Sequence, residues 1–168
     1  MQRGVVANAY QRDQVIANIE KLIRKARAEQ IPVIWIQHSS EELKINSDGW
    51  QYVSELQRQE DEPLIYKIYG DSFEDTTLQA DLEKLEVGRL VVVGAQTDAC
   101  VRATIHGAFV RGYDTVLVSD AHTTEDLSAY GLPSPQKVIE FTNTYWTWQT
   151  GPGREAHVVP TEEVQFTK

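Results

Sequence analysis

Leu90-Val91-Val92-Val93-Gly94-Ala95-Gln96-Thr97-Asp98-Ala99-Cys100-Val101 decides how this chain folds. Four consecutive apolar residues, mostly β-branched, make a short strand that buries both faces. The strand ends at Gly94, a tight turn follows, and Cys100 opens a helix over residues 99–111. The same alternation extends in both directions. Upstream, residues 13–30 place Val15, Ile16, Ile19, Leu22, Ile23 and Ala26 at helical spacing, with charged residues between them. Pro32 blocks continuation, and residues 33–36 form a second strand. Residues 64–66 are a further strand and 78–85 a helix. Downstream come a strand at 115–118, an aromatic-rich helix at 135–150 and a short strand at 158–159.

Doubly apolar strands alternating with helices predict one domain over residues 1–168, a three-layer α/β/α fold with a mostly parallel sheet. In such sheets, sites lie at the carboxyl ends of the strands. Residues 37–40, 67–73, 94–100 and 119–125 therefore fall on one rim. The opening is unusual: Met1-Gln2-Arg3-Gly4 enters the first helix with only Val5-Val6 as an apolar pair. A doubly wound domain normally starts with a buried strand, so the first strand is apparently missing: either the sheet is one strand short or the sequence starts late.

Composition narrows the function. With 168 residues, about 70% of the unfolded surface can be buried. Sixteen basic against 25 acidic residues leave a net charge of −9, which disfavours nucleic acid and anionic membranes as partners. No apolar run reaches the ~18 residues of a membrane span, and no signal peptide opens the chain. A cytoplasmic protein is the expectation. One cysteine excludes an internal disulfide, and with four histidines it excludes a cysteine-rich zinc site.

Position alone leaves Cys100 two readings. A thiol at a helix N-terminus is favoured as thiolate by the helix dipole and free N–H groups; equally, a cysteine there can be a small core hydrophobe. Lys67 directly follows an apolar run, which places it at a strand end. A lysine partly buried there needs an anionic partner. His38 has no second histidine nearby and reads as a hydrogen-bonding rim residue rather than a metal ligand, since zinc needs three or four converging donors. His106 reads as structural, and His122 lies where it can approach the site. Trp50, in the longest irregular stretch, reads as a pocket wall or lid; the 145–148 aromatic cluster reads as packing.

Two segments together carry a resemblance: Lys67 with Tyr69-Gly70-Asp71-Ser72-Phe73, and Gly94-Ala95-Gln96-Thr97-Asp98-Ala99-Cys100-Val101-Arg102-Ala103-Thr104. They resemble the isochorismatase-like cysteine hydrolases, a superfamily that includes nicotinamidases and N-carbamoylsarcosine amidohydrolase. The resemblance implies an Asp–Lys–Cys triad that hydrolyses a small amide, ureide or lactam, with Cys100 as nucleophile and Lys67 as its cation. It implies a cis peptide at Ala95–Gln96 in an oxyanion and substrate-binding turn; Trp50 and Phe73, from their place in the sequence, are further candidates for substrate contact. It also implies a homo-oligomer; no metal is expected, because metal-dependent nicotinamidases carry a further histidine near the position of His38, and no cofactor is expected. The triad aspartate would fall just before Met1. Asp13 lies too far into the helix, while Asp71, Asp98 and Asp120 match other positions of the pattern. The expectation is therefore a shortened chain of weak turnover; a catalytically inactive binding or assembly module is the alternative.

Overall fold

In the computed structural model, residues 1–166 are described, so the last two positions of the expected domain 1–168 lie outside the described residues. The chain runs α1 (Arg12–Ala28), β1 (Trp35–His38), β2 (Leu64–Lys67), α2 (Leu78–Lys84), β3 (Arg89–Ala95), a π-helical turn (Thr97–Val101), α3 (Arg102–Val110), β4 (Asp114–Thr123), α4 (Pro135–Trp146), β5 (Thr150–Gly151) and β6 (Arg154–Val159). Among the described residues, no helix is long and apolar enough to cross a membrane.

The strands form two pieces rather than one sheet. β1 pairs only with β2, in parallel, and the other piece has the order β3-β4-β6-β5. Within it the β3–β4 and β4–β6 ladders are parallel, and β5–β6 is an antiparallel hairpin. Side chains alternate across β3. Val91 and Val93 join α1 in one core, while Leu90 and Val92 join α2, α3 and α4 in the cores on the opposite face. The three layers follow from that alternation.

Several boundaries differ from the sequence reading. The first strand starts at Trp35 instead of residue 33, because pairing begins where the Trp35 N–H meets the Pro63 carbonyl at 2.9 Å. β4 extends to Thr123 through the polar Ser119-Asp120. Between its Val92↔Leu117 and Gly94↔His122 pairs, β3 advances two residues and β4 five, so β4 bulges. Polar side chains satisfy the displaced backbone: Asn18 Nδ2 donates to the Asp120 carbonyl at 2.7 Å, and Asn143 Nδ2 to Ser119 at 3.1 Å. α4 stops at Trp146, because the chain then turns into the β5–β6 hairpin. Ser134 caps that helix on the Lys137 N–H, with Pro135 in its first turn.

Candidate active site

Lys67 ends β2 with 5% of its surface exposed. Its ammonium donates to the carbonyls of Tyr69 at 2.6 Å and Gly70 at 2.9 Å, and to Cys100 Sγ at 3.2 Å. An ammonium has three protons, and all three are directed. His38 sits opposite Lys67 in the β1–β2 register, with its Nδ1 buried and unpartnered. Burial first, and the Lys67 charge second, hold its pKa below the ordinary value. His38, Lys67, Ser72, Ala95, Cys100 and Thr104 line one cavity of about 200 Å³, together with Met1 and Gln2.

Local sequence explains how the pair is held. The loop after Lys67 is bolted to α3: Ser72 Oγ lies 2.8 Å from Thr104 Oγ1, and the Ser72 N–H donates to the same hydroxyl at 3.1 Å. Asp71 accepts from the Phe73 N–H at 3.0 Å and pairs with Arg111 at 3.3 Å. A Cβ at Gly107 would come within 2.4 Å of the Asp71 carboxylate, so this close approach of loop and helix requires glycine. On the other side, Gly94 has φ +125°, and the Ala95–Gln96 peptide is cis. Cys100 lies inside the π-helical turn, not at the first residue of an α-helix as the sequence suggested; α3 proper starts at Arg102. The turn closes when the Val101 N–H reaches back to the Gln96 carbonyl at 3.1 Å.

His122, 1% exposed, holds this turn from behind. Its Nδ1 is 2.9 Å from Thr97 Oγ1, and its Nε2 is 2.9 Å from Asn143 Oδ1. Because Asn143 Nδ2 is spent on the Ser119 carbonyl, Oδ1 must accept. This assigns the proton of a neutral His122 to Nε2 and makes Nδ1 the acceptor of the Thr97 hydroxyl. His106 instead stacks on Tyr145 at 5.7 Å.

The sequence-predicted residues do not all converge. Cys100, Lys67 and Ala95 share the cavity, and the Gln96 amide reaches the Val5 carbonyl at 3.4 Å. Phe73 is a core residue, packed at 6.0 Å from Tyr113 with Arg111 over its ring. Trp50 stacks on Tyr66 at 6.0 Å, and its carbonyl accepts from Gln2 and Gln37. Neither ring lines the cavity at Cys100. Their aromatic character signalled burial and carried no information about which surface they bury. His38, Ser72 and Thr104 do line it. Only strand register and loop docking bring them there, so the linear sequence gave little signal. Asp13 pairs with Arg12, Asp71 with Arg111, Asp98 with Thr124 and Asp120 with Thr161. Among the described residues, no carboxylate pairs with Lys67.

A parallel α/β domain with a cysteine–lysine pair at its strand tips defines the class. The family model for the isochorismatase domain matches residues 1–131, and the chain belongs to the isochorismatase family. The streptothricin hydrolase of Streptomyces noursei is 32% identical over 151 residues, which cover 88% of this chain and 59% of that protein. The ureidoacrylate amidohydrolase of Pseudomonas syringae pv. syringae is 30% identical over 139 residues, 64% of this chain and 57% of that one. The chain thus spans under two thirds of these curated relatives. An isochorismatase from Pseudomonas putida KT2440 superposes with a TM-score of 0.88 at 24% identity, covering 98% of this chain and 86% of that one, which shows the shared fold.

Proposed function

We propose that the site is that of a hydrolase cleaving the C–N bond of a small amide, ureide or lactam, with Cys100 as nucleophile. One observation carries the reading: a buried ammonium hydrogen-bonded to the only sulfur nucleophile of the chain, inside a cavity. The similarity to an amidohydrolase and to a streptothricin hydrolase supports it. The sulfur adds to the substrate carbonyl as its proton passes to water, and the carbonyl electron pair moves onto oxygen. The C–N bond then breaks, the amine leaves with a proton, and a thioester remains. Water attacks the thioester, the C–S bond breaks, and acid product and free thiol are released. In this reading the backbone N–H groups of Gln96 and Cys100 receive the developing oxyanion. Lys67, with every proton engaged, anchors the sulfur and does not shuttle. The amine's proton therefore comes from water in the cavity, and turnover is slow.

The absence of a carboxylate on Lys67 favours a second reading, a binding or assembly module. Two measurements separate the readings. The first is ammonia release from a panel of small amides, carbamoyl compounds and lactams, with the Cys100→Ala variant as control. The second is the iodoacetamide alkylation rate of Cys100 at fixed pH in the wild type and in Lys67→Met. The hydrolase reading expects turnover that disappears in Cys100→Ala and alkylation slowed about tenfold or more in Lys67→Met. Turnover that survives Cys100→Ala overturns it, and no turnover with equal alkylation leaves the module.

A further inference from the structure

The turn from Thr97 to Val101 borders two cavities: Cys100 lines one, and Asp98 lines the other. The second cavity, of about 190 Å³, shares no lining residue with the first. Residues four apart share a helix face, so Lys137, Phe141 and Tyr145 form one stripe along α4, and that stripe is one wall. Asp98 and Arg102 supply another from the turn and the start of α3, and Pro133 a third from the loop before α4. An engineered cavity of ~150 Å³ takes up benzene, so one aromatic ring with a small substituent fits here.

The walls offer two kinds of contact. Arg102 is exposed, and among the described residues no hydrogen bond or ion pair engages its guanidinium, although Asp98 stands four residues earlier. Asp98 accepts from Thr124 Oγ1 at 2.6 Å instead. The Arg102 charge acts on the rings beside it: it opposes the burial that raises the Tyr145 pKa, and adds to the burial that lowers that of His106. Lys137 Nζ pairs with Glu140 of its own helix at 2.8 Å, an exposed pair that a competing anion displaces at little cost. Phe141 leaves 66% of its surface in water. An inorganic anion would meet the cations and leave that ring wet, whereas a neutral ring would cover Phe141 and leave the guanidinium unpaired. A planar ring bearing a carboxylate meets both, since a guanidinium donates two parallel hydrogen bonds to a carboxylate.

We propose that this cavity binds a small aromatic carboxylate, with Arg102 as its anchor, Lys137 as a second cation, and the Phe141 and Tyr145 rings against its apolar face. The site is separate from the cavity at Cys100, and the proposal does not depend on the hydrolase reading. Its occupant lies against the turn that carries the sulfur, because Asp98 is two residues before Cys100.

The test titrates benzoate, benzyl alcohol and acetate into the isotope-labelled full chain and follows its amide NMR shifts. Benzoate should shift the amides of residues 98–102 and 137–145, with a Kd at least about fivefold below those of the alcohol and of acetate. Arg102→Met should weaken benzoate about fivefold or more, Arg102→Lys less, because the charge stays and the planar fork goes. Phe141→Ala should weaken it as well, and Lys67→Met should leave it unchanged. Equal affinity for the three probes overturns the proposal, and so does benzoate binding that survives Arg102→Met. Binding lost in Lys67→Met but kept in Arg102→Met places the anion in the Cys100 cavity and also overturns it. Sedimentation covers the remaining occupant: a dimer that Phe141→Asp dissociates, with no benzoate shifts in the wild type, means that a second copy fills this face and the proposal fails.

Discussion

β3 and β4 are neighbours in parallel register, and their central residues are nearly the same: Leu90-Val91-Val92-Val93 against Val116-Leu117-Val118. Their environments differ. Val116, Leu117 and Val118 are 1%, 0% and 0% exposed, whereas Leu90 to Val93 are all only half-buried. β4 has β3 on one edge and β6 on the other, whereas β3, among the described residues, pairs with β4 alone. Burial of an apolar strand is thus set by its number of strand neighbours as much as by its composition. Helices cover both faces of β3, but a helix does not close an edge.

The largest expected effect tests the sealed side. Leu117→Ala removes a side chain that packs against Ile105 and Trp146 in a fully buried cluster, and should cost about 3 kcal/mol of unfolding free energy. Val92→Ala, its partner in the register, should cost about 1 kcal/mol or less, because the truncated group already borders open space. Urea unfolding with unchanged m-values would measure both. Equal losses would mean that the cavity beside Val92 is closed in solution.

A sharper version keeps the chemistry identical. Val116 and Val91 are register partners, so Val116→Ala and Val91→Ala delete the same two methyl groups on opposite members of one rung. The first should cost about 2 kcal/mol and the second about half of that. The urea midpoints of the two variants against the wild type test this directly.

The reason the sequence could not reveal this asymmetry is visible in those same residues. A run such as Leu90–Val93 states that a strand wants cover, but it does not state how many neighbours the strand has. The layers, the parallel ladders and the placing of Lys67 and Cys100 on one rim were legible, because each follows from local periodicity and from where a strand ends. Three features were not. The π-helical turn around Cys100 closes through a five-residue backbone hydrogen bond from Val101 to Gln96 that apolar periodicity does not encode, and the bulge in β4 depends on Asn18 and Asn143 capping its carbonyls from two different helices. Phe73 and Trp50 were read as substrate contacts from their position in sequence, yet they serve the core and a Tyr66 stack.

The smallest effect concerns the point where β3 and β4 meet at the site, the Gly94↔His122 pair. Burial holds the His122 pKa below its ordinary 6.5, against the opposing influence of Asn143 and Asp120. The folded imidazole therefore resists a proton that the unfolded chain accepts near pH 6.5. Below that value the unfolded state binds more protons, so stability is complete above about pH 7 and falls as the pH drops toward the folded pKa. His38 and His106 are also held low by burial and act with the same sign. The Met1 amine, at about 6 instead of 8.0, adds a slope of that sign at higher pH. Carboxylates such as Glu62, held below 4.5, act only at lower pH. Between pH 7 and 5 the unfolding free energy from urea titrations should therefore fall, by at most about 1.4 kcal/mol per pH unit for each histidine. His122→Gln should fall less steeply, because one of these buried imidazoles is gone while the His38, His106 and Met1 contributions remain. An unchanged slope would mean that His122 carries its proton in the folded state, and then Nδ1 would donate to Thr97 instead of accepting from it. That reversal would rewrite the hydrogen bond behind the Cys100 turn without altering either strand, so one titration separates the architecture of the β3–β4 ladder from the chemistry mounted on its end.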